Sequence, residues 1–280
     1  MSYISPGEFV KTMVDAGESK LFMATRDVLI RSFMAGAILA IAVALAVTAA
    51  VQTGIPIVGA LIFPVGFCIL NLLGFDLLTG VFALVPLALF DKRPGATFNG
   101  LLKNWGLVAL GNLLGALTTA VLIGIAWTFA FTTEPGAVGQ AIARAAEART
   151  LGFAEHGAAG WFTVFVKGIL CNWMVSVGVV GAMLSKDVIG KVIAMWMPIL
   201  IFFGLVFEHA FVNMYLFPLG MMMGAPITIA DWLIWNEIPV ILGNLVGGLL
   251  LTGMVLYATH LKPGPTRSRV IEPANKVTVN

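Results

Sequence analysis

The chain has 280 residues, of which 59% are hydrophobic and only 11% are charged, with a formal net charge of +2. So few charges cannot cover the surface of a water-soluble domain, so the composition excludes an ordinary soluble protein and predicts an integral membrane protein. We expect the lipid bilayer to surround it, and we expect no nucleic-acid partner.

Charged residues mark the ends of long apolar segments. No charge lies between Arg31 and Asp76, between Lys103 and Glu134, or in two later gaps that end at Glu208 and Lys262. One membrane-spanning helix needs about 20 apolar residues, so each gap predicts at least one span. The turn at 53–56 divides the first gap. The predicted spans are residues 30–52, 57–91 (interrupted near 74–79), 102–132, 159–184, 190–223 (interrupted near 208–215) and 236–261.

Basic residues orient these spans. Placing both termini in the cytoplasm puts most lysines and arginines on that side, as the positive-inside rule requires. We therefore predict a cytoplasmic amphipathic segment over 1–29, opened by a capping box from Ser5 to Glu8, a transmembrane domain over 30–261 and a cytoplasmic tail over 262–280. A further short external helix is expected over 140–149.

The two halves of the chain share an internal repeat. Phe75-Asp76 matches Phe207-Glu208, Pro86-Leu87 matches Pro218-Leu219, and the segment Gly-Asn-Leu-x-Gly occurs at 111–115 and again at 243–247, all at one offset of 132 residues. Three spans separate the matched positions, so the second copy crosses the membrane in the opposite direction. The fold class predicted is an all-α membrane protein with an inverted repeat of three plus three helices, in which the second and fifth helices are broken.

The repeated Gly-Asn-Leu-x-Gly segments present small residues four apart. Such spacing favours close approach of neighbouring helices. Asn112 and Asn244 then face the interface, where each can bond across it or to backbone groups freed at the breaks.

Four ionisable residues remain at membrane depth. An ionisable side chain costs free energy inside the bilayer, so we expect each one to form an ion pair, cap a helix or line a pathway. The four residues are Asp76, Lys167, Glu208 and His209. Asp76 is interpreted as the cap of a helix resuming at Thr79, with substrate contact as the alternative.

The other three ionisable residues have two interpretations each. His209 either bonds structurally or acts on a substrate, and its place in a break favours the second interpretation. Glu208 either orients His209 or pairs with Lys167. Lys167 either attracts anions or forms a structural pair with Asp76 or Glu208.

Three motifs together resemble the formate/nitrite transporter family, which is aquaporin-like in its inverted repeat. They are Gly-Phe-Asp-Leu-Leu-Thr-Gly at 74–80, Lys-Gly-Ile-Leu-Cys-Asn-Trp at 167–173 and Phe-Glu-His-Ala-Phe-Val-Asn-Met at 207–214. The resemblance implies a homopentamer in the cell (inner) membrane, with a pore in each protomer. It implies that Thr79 and His209 face the substrate chamber and that Asn172 lies near His209.

The resemblance also implies two apolar constrictions around that chamber. By motif register, Phe67 and Phe202 form the extracellular one, and Phe63 with Leu78 forms the cytoplasmic one. A bare anion would lose its hydration in such a slit, whereas the neutral acid crosses more cheaply. The hypothesis is that Lys167 draws in an anion and that His209, or water beside it, supplies a proton.

The function predicted is transport of a small monovalent anion, formate or nitrite. The alternatives are another small monocarboxylate, hydrosulfide or a neutral solute. An enzyme is not expected, because the sequence has no Gly-x-Ser-x-Gly or His-Glu-x-x-His motif, and neither Cys68 nor Cys171 has a histidine nearby in sequence. We expect no cofactor and no metal.

Overall fold

The computed structural model describes residues 3–262, and this part of the chain is almost entirely helical. The helices are α1 (Pro6–Leu21), α2 (Thr25–Thr53), α3 (Pro56–Ile62), α4 (Pro64–Leu72), α5 (Leu78–Phe90), α6 (Phe98–Trp127), α7 (Ala137–Ala148), α8 (Leu151–Ala154), α9 (Gly157–Gly181), α10 (Val188–Gly204), α11 (Ala210–Met222) and α12 (Ile229–Leu261). α12 contains three wider π-helical stretches, at Leu233–Glu237, Leu249–Met254 and Tyr257–Leu261. The predicted tail over 262–280 lies, apart from Lys262, outside the described residues.

Within residues 3–262, four helices are long and apolar enough to cross a membrane, namely α2, α6, α9 and α12. The remaining apolar helices are shorter and occur in two series, α3 to α5 and α10 to α11. The predicted second and fifth spans therefore correspond to the two series that are interrupted along the chain.

Both interruptions begin earlier than the sequence predicted. The first covers residues 73–77 and the second covers 205–209, so the stretch 211–215, expected to be irregular, is helical. The reason is local capping, because His209 accepts the amide of Val212 and starts α11 at once.

The third predicted span, 102–132, lies four to five residues earlier than expected, since α6 begins at Phe98. α6 ends at Trp127, because Phe129, Ala130 and Phe131 all have positive φ, between 46° and 63°. A run of three left-handed residues cannot continue a right-handed helix.

Two amphipathic helices, α1 and α7, pack against the short apolar helices α5 and α11 respectively. The approach is close, since a Cβ atom at Gly17 would overlap the carbonyl of Leu84 and one at Gly220 would meet Ala146. The predicted capping interaction at α1 is present, with the Glu8 carboxylate accepting from the hydroxyl of Ser5 at 2.8 Å. α7 confirms the helix predicted over 140–149, with its start three residues earlier.

The repeated glycines bring two helix pairs together. α2 packs on α6, and α9 packs on α12. A Cβ atom at Gly115 would overlap the carbonyl of Phe33, and one at Gly247 would overlap that of Ile169. The predicted packing role of these segments is confirmed.

Candidate functional site

A buried asparagine holds the first interruption in shape. Asn112 on α6 accepts a hydrogen bond from the amide of Leu78 at 3.0 Å. Its Nδ2 donates to the carbonyls of Asp76 and Ser32 at 2.9 and 2.8 Å. One side chain thus satisfies a free amide at the start of α5 and a carbonyl of the irregular segment before it.

Asn244 on α12 does the same at the second interruption. Its Oδ1 accepts from the amide of Ala210 at 3.1 Å, and its Nδ2 donates to the carbonyls of Glu208 and Gly168 at 3.0 and 2.8 Å. Each of these groups has a counterpart 132 positions earlier. Asn244 corresponds to Asn112, the amide of Ala210 to that of Leu78, and the carbonyl of Glu208 to that of Asp76. The prediction that these asparagines bond to backbone freed at the breaks is confirmed.

The starts of α5 and α11 meet at a buried pair of side chains. Thr79 Oγ1 lies 3.2 Å from His209 Nε2. The other ring nitrogen, Nδ1, accepts from the amide of Val212 at 3.1 Å. Because Nδ1 is an acceptor, a neutral imidazole carries its proton on Nε2 and donates it to Thr79. The threonine hydroxyl then retains its own proton for another acceptor.

The surroundings of this pair favour negative charge. The N-termini of α5 and α11 both point toward it, and helix N-termini carry partial positive charge. Thr79 and His209 are 0% and 2% exposed, so water screens the pair little. A small anion placed here would find a hydroxyl donor and two helix ends.

Asn172 on α9 joins the two halves beside this pair. Its Nδ2 donates to the carbonyl of Thr79 at 3.1 Å and to that of Asn244 at 2.6 Å, while its Oδ1 accepts from the hydroxyl of Ser176 at 3.3 Å. Asn172 therefore fixes the backbone that carries the threonine.

Aromatic rings lie against His209. Phe202 is stacked on the imidazole, with ring centroids 5.8 Å apart, and Phe63 meets Phe202 edge to face at 5.7 Å. The sequence prediction put Phe63 with Leu78 and Phe67 with Phe202, and this pairing is wrong. Phe67 instead lines a cavity beside Asp76. Phe63 and Phe67 are one helical turn apart on the same face, so motif register alone did not show which one lies level with Phe202.

The predicted capping role of Asp76 is also wrong. Asn112 bonds the first amide of α5, and the carboxylate of Asp76 instead pairs with Lys20 at the end of α1. The cause is the docking of α1, which brings a lysine to a carboxylate that is 5% exposed.

Glu208 is paired with neither Lys167 nor His209. Its Oε2 lies 3.6 Å from Arg149 Nη1 and accepts from Asn213 at 3.0 Å and from Asn236 at 3.2 Å. Both interpretations offered for Glu208 are therefore corrected.

Lys167 touches Glu208 through the backbone alone, its carbonyl accepting the Glu208 amide at 3.4 Å. Its ammonium lies 5.2 Å from the centroid of the Phe153 ring. Within residues 3–262, no carboxylate lies in ion-pair range of Lys167.

Several polar residues of this region were missed from the sequence. Lys20 and Arg149 each pair with the carboxylate of one interruption, and an asparagine holds the backbone carbonyl of each: Asn104 bonds that of Lys20 at 2.9 Å and Asn236 that of Arg149 at 2.8 Å. A signal was present, because Asn104 and Asn236 also lie 132 positions apart.

Two cavities flank the site. A small one of about 30 Å³ is lined by Lys20, Phe67 and Asp76, among others. A much larger one of about 540 Å³ is lined by Arg149, Phe203 and Val212, together with apolar residues of α2 and α3. Among the described residues, no cluster of three or more histidine, cysteine, aspartate or glutamate side chains is arranged to hold a metal ion.

An apolar helical bundle whose interrupted helices converge on a buried polar pair is a membrane channel or transporter. Comparison with known proteins supports this class of protein. A sequence profile described as Formate/nitrite transporter matches residues 7–258. The chain is 34% identical to a "Probable formate transporter" of Methanothermobacter thermautotrophicus, over 93% of this chain and 98% of that protein.

Two solved structures share the fold. One, titled "FNT family ion channel", has a TM-score of 0.75 and 23% identity, covering 91% of this chain and 98% of the other. The second, titled "Pentameric formate channel with formate bound", has a TM-score of 0.69 and 22% identity, covering 85% and 98%. The chain belongs to the formate/nitrite transporter family, whose members are channels and transporters rather than enzymes.

Proposed function

We propose that this protein carries a small monovalent anion, formate or nitrite, across the cell (inner) membrane through a pathway within each protomer. The observation that carries the proposal is the contact of 3.2 Å between Thr79 and His209, buried between the starts of two short helices. This arrangement offers a hydroxyl donor to an anion where the bilayer itself offers none.

The proposed membrane arrangement has six spans. α2, α6, α9 and α12 cross the membrane whole, while the series α3 to α5 and α10 to α11 form the broken second and fifth spans. The matching bonds of Asn112 and Asn244 support an inverted repeat, because in the proposed arrangement equivalent groups are three spans apart and therefore face opposite sides of the membrane. With both termini cytoplasmic, Lys20 lies on the cytoplasmic side of the site and Arg149 on the outer side.

Lys20 and Arg149 are each paired with a carboxylate, whereas Lys167 adds a cation with no carboxylate in ion-pair range among the described residues. Phe63 and Phe202 form an apolar barrier on the side of the large cavity, and Phe67 with Leu78 forms the one on the side of Lys20. An anion pays a desolvation cost at each barrier, and this cost is much smaller for the neutral acid. The proposal therefore includes a proton that travels with the anion, taken up near His209 or from water beside it.

The proposed assembly is a homopentamer with five separate pathways. A protein of this fold titled as a pentameric formate channel supports it. The broad lipid-facing belt of exposed apolar residues on α2, α6 and α10 supplies surface for both lipid and neighbouring protomers.

Liposome uptake tests the proposal. The purified protein is reconstituted, and uptake of formate and nitrite is recorded side by side from roughly pH 5 to 8, the range in which histidine chemistry acts. We expect saturable uptake that rises with acidity and falls strongly in His209→Ala, while the exposed His156→Ala control behaves like wild type. Absence of uptake of both anions by the folded wild type would overturn the proposal in favour of another small monocarboxylate, hydrosulfide or a neutral solute.

A further inference from the structure

The seam between α2 and α6 carries two cavities at successive depths. The upper one, about 320 Å³, is almost purely apolar and is lined by Leu29, Ile30, Phe33, Met34, Leu110, Gly111 and Leu114. The lower one, about 200 Å³, is lined by the end of α1 together with residues of both helices that include Thr25, Lys103 and Asn104. We call the two together the α2/α6 groove.

Lys103 on α6 lines the lower cavity, and Arg26 on α2 directly follows Thr25, which also lines it. On α6, Lys103, Leu107, Leu110 and Leu114 follow the spacing i, i+4, i+7 and i+11, which keeps them on one face. On α2, Arg26, Ile30 and Phe33 follow i, i+4 and i+7 in the same way. Arg26 and Lys103 are both exposed, and neither forms an ion pair with a described residue.

The dimensions fit one leaflet of a bilayer. From Lys103 to Leu114 the helix rises roughly 16 Å. Half of a hydrocarbon core is about 15 Å thick. Under the proposed orientation, the basic end lies at the cytoplasmic surface, and the apolar stripe reaches to the bilayer midplane.

The second half of the repeat lacks these features. Its equivalent seam joins α9 and α12. The offset of 132 residues matches Lys103 to Trp235, and Gly247 contacts Ile169 as Gly115 contacts Phe33, which matches Arg26 to Phe162. The tight contact between the helix backbones is kept in both seams, so helix packing does not require the basic pair. Under the proposed orientation this pair lies at the cytoplasmic surface, where the positive-inside rule favours basic residues and where anionic lipid headgroups lie.

We propose that the α2/α6 groove binds an anionic phospholipid of the cytoplasmic leaflet, with its phosphate between Arg26 and Lys103. One acyl chain lies along the apolar stripe, and the negative charge of the headgroup faces the two basic side chains. The inference rests on the proposed orientation of the chain and not on its substrate.

Lipid retention measured by native mass spectrometry tests the proposal. The full-length protein is purified in detergent and supplied with phosphatidylglycerol or phosphatidylcholine. We expect the wild type to retain phosphatidylglycerol selectively, and the double variant Arg26→Gln/Lys103→Gln to retain it roughly thirtyfold less, because two favourable charge contacts are lost. The control Lys11→Gln/Lys186→Gln makes the same change in net charge on exposed residues of the same side and should retain the lipid.

Equal retention of both lipids by the wild type, or undiminished retention by the groove variant, would overturn the proposal.

A second variant examines the competing occupant of the groove, a neighbouring protomer. Leu110→Cys places a thiol in the groove of a chain whose own cysteines are buried. In the assembled protein, modification of this thiol by a membrane-permeant maleimide supports a groove open to lipid. Complete protection that is lost when the protomers are separated would assign the groove to the subunit interface and contradict lipid binding. Formate uptake measured on the same preparations tests the transport function separately.

Discussion

The two interruptions of the chain are built alike but set in different surroundings. In each, an asparagine pins the break, a carboxylate pairs with a basic residue from an amphipathic helix, and a second asparagine holds the carbonyl of that basic residue. The cavity beside the first is about 30 Å³, whereas that beside the second is about 540 Å³. The same hydrogen bonds between asparagine and backbone therefore hold both interruptions, whereas the side chains around each interruption determine the volume of the neighbouring cavity.

The comparison also extends the internal repeat. α1 packs on α5 in the first half, and α7 packs on α11 in the second half. The two amphipathic helices occupy equivalent places, although α1 is an N-terminal segment and α7 lies between two apolar helices. The repeating unit thus includes an amphipathic helix as well as the apolar helices. The first half closes its cavity because Lys20 and Phe67 fill it to a volume that suits about one water molecule.

The largest loss of stability is expected from removing either pinning asparagine. Asn244→Leu leaves the amide of Ala210 and the carbonyl of Glu208 without partners, each costing about 1–3 kcal/mol. Asn112→Leu should cost a similar amount if the two breaks are equivalent. Thermal unfolding of the purified protein measures both. Asn71→Leu, which loses one local bond to the carbonyl of Phe67, should cost about 1 kcal/mol.

Removing the basic partner should cost a different amount of stability at the two interruptions. Arg149→Met leaves Glu208 fully buried without its cation and should cost about 3 kcal/mol. Lys20→Met should cost less, because Asp76 is 5% exposed and lines a cavity that suits about one water molecule, whereas Glu208 is 0% exposed. Equal shifts in melting temperature for the two variants would contradict the asymmetry described above.

Alanine at the repeated glycines should have a moderate effect in both halves. Gly115→Ala and Gly247→Ala each force a methyl group into a carbonyl of the partner helix and should cost about 1–3 kcal/mol. Gly106→Ala, where the new methyl group meets open space, is the matched control and should leave stability the same or slightly higher. The comparison is made by chemical unfolding in detergent.

The smallest effect concerns the start of α1. Hydrogen bonds from Ser5 hold the pKa of the exposed Glu8 carboxyl below its ordinary value of 4.5. Because the folded-state pKa is depressed, the stabilisation is present above the ordinary value and is lost as the pH falls through the lowered one. Hydrogen exchange should show faster opening of the first turn of α1 in strong acid. Glu8→Gln should remove this pH dependence, and an unchanged profile would contradict the assignment.

Much of the molecule was predictable from the sequence, because apolar length, the repeat offset and small-residue spacing are local signals. They correctly indicated the packing glycines, the role of Asn112 and Asn244 and the neighbourhood of the interruptions. The pairing of charges was not predictable. Asp76 was assigned to a helix amide and Glu208 to a nearby side chain, whereas both are paired by residues from α1 and from the segment after α7. Such contacts depend on how amphipathic helices dock, which periodicity does not specify.

The central claim is that the anion passes the contact between Thr79 and His209. Formate uptake into liposomes by Thr79→Val and Thr79→Ser tests it most directly, once both variants are shown to assemble like wild type. Valine keeps the shape and removes the hydroxyl, so we expect a loss of roughly tenfold or more, the effect of about one charge-assisted hydrogen bond. Serine keeps the hydroxyl and should retain most of the uptake. Wild-type uptake by Thr79→Val would contradict the account.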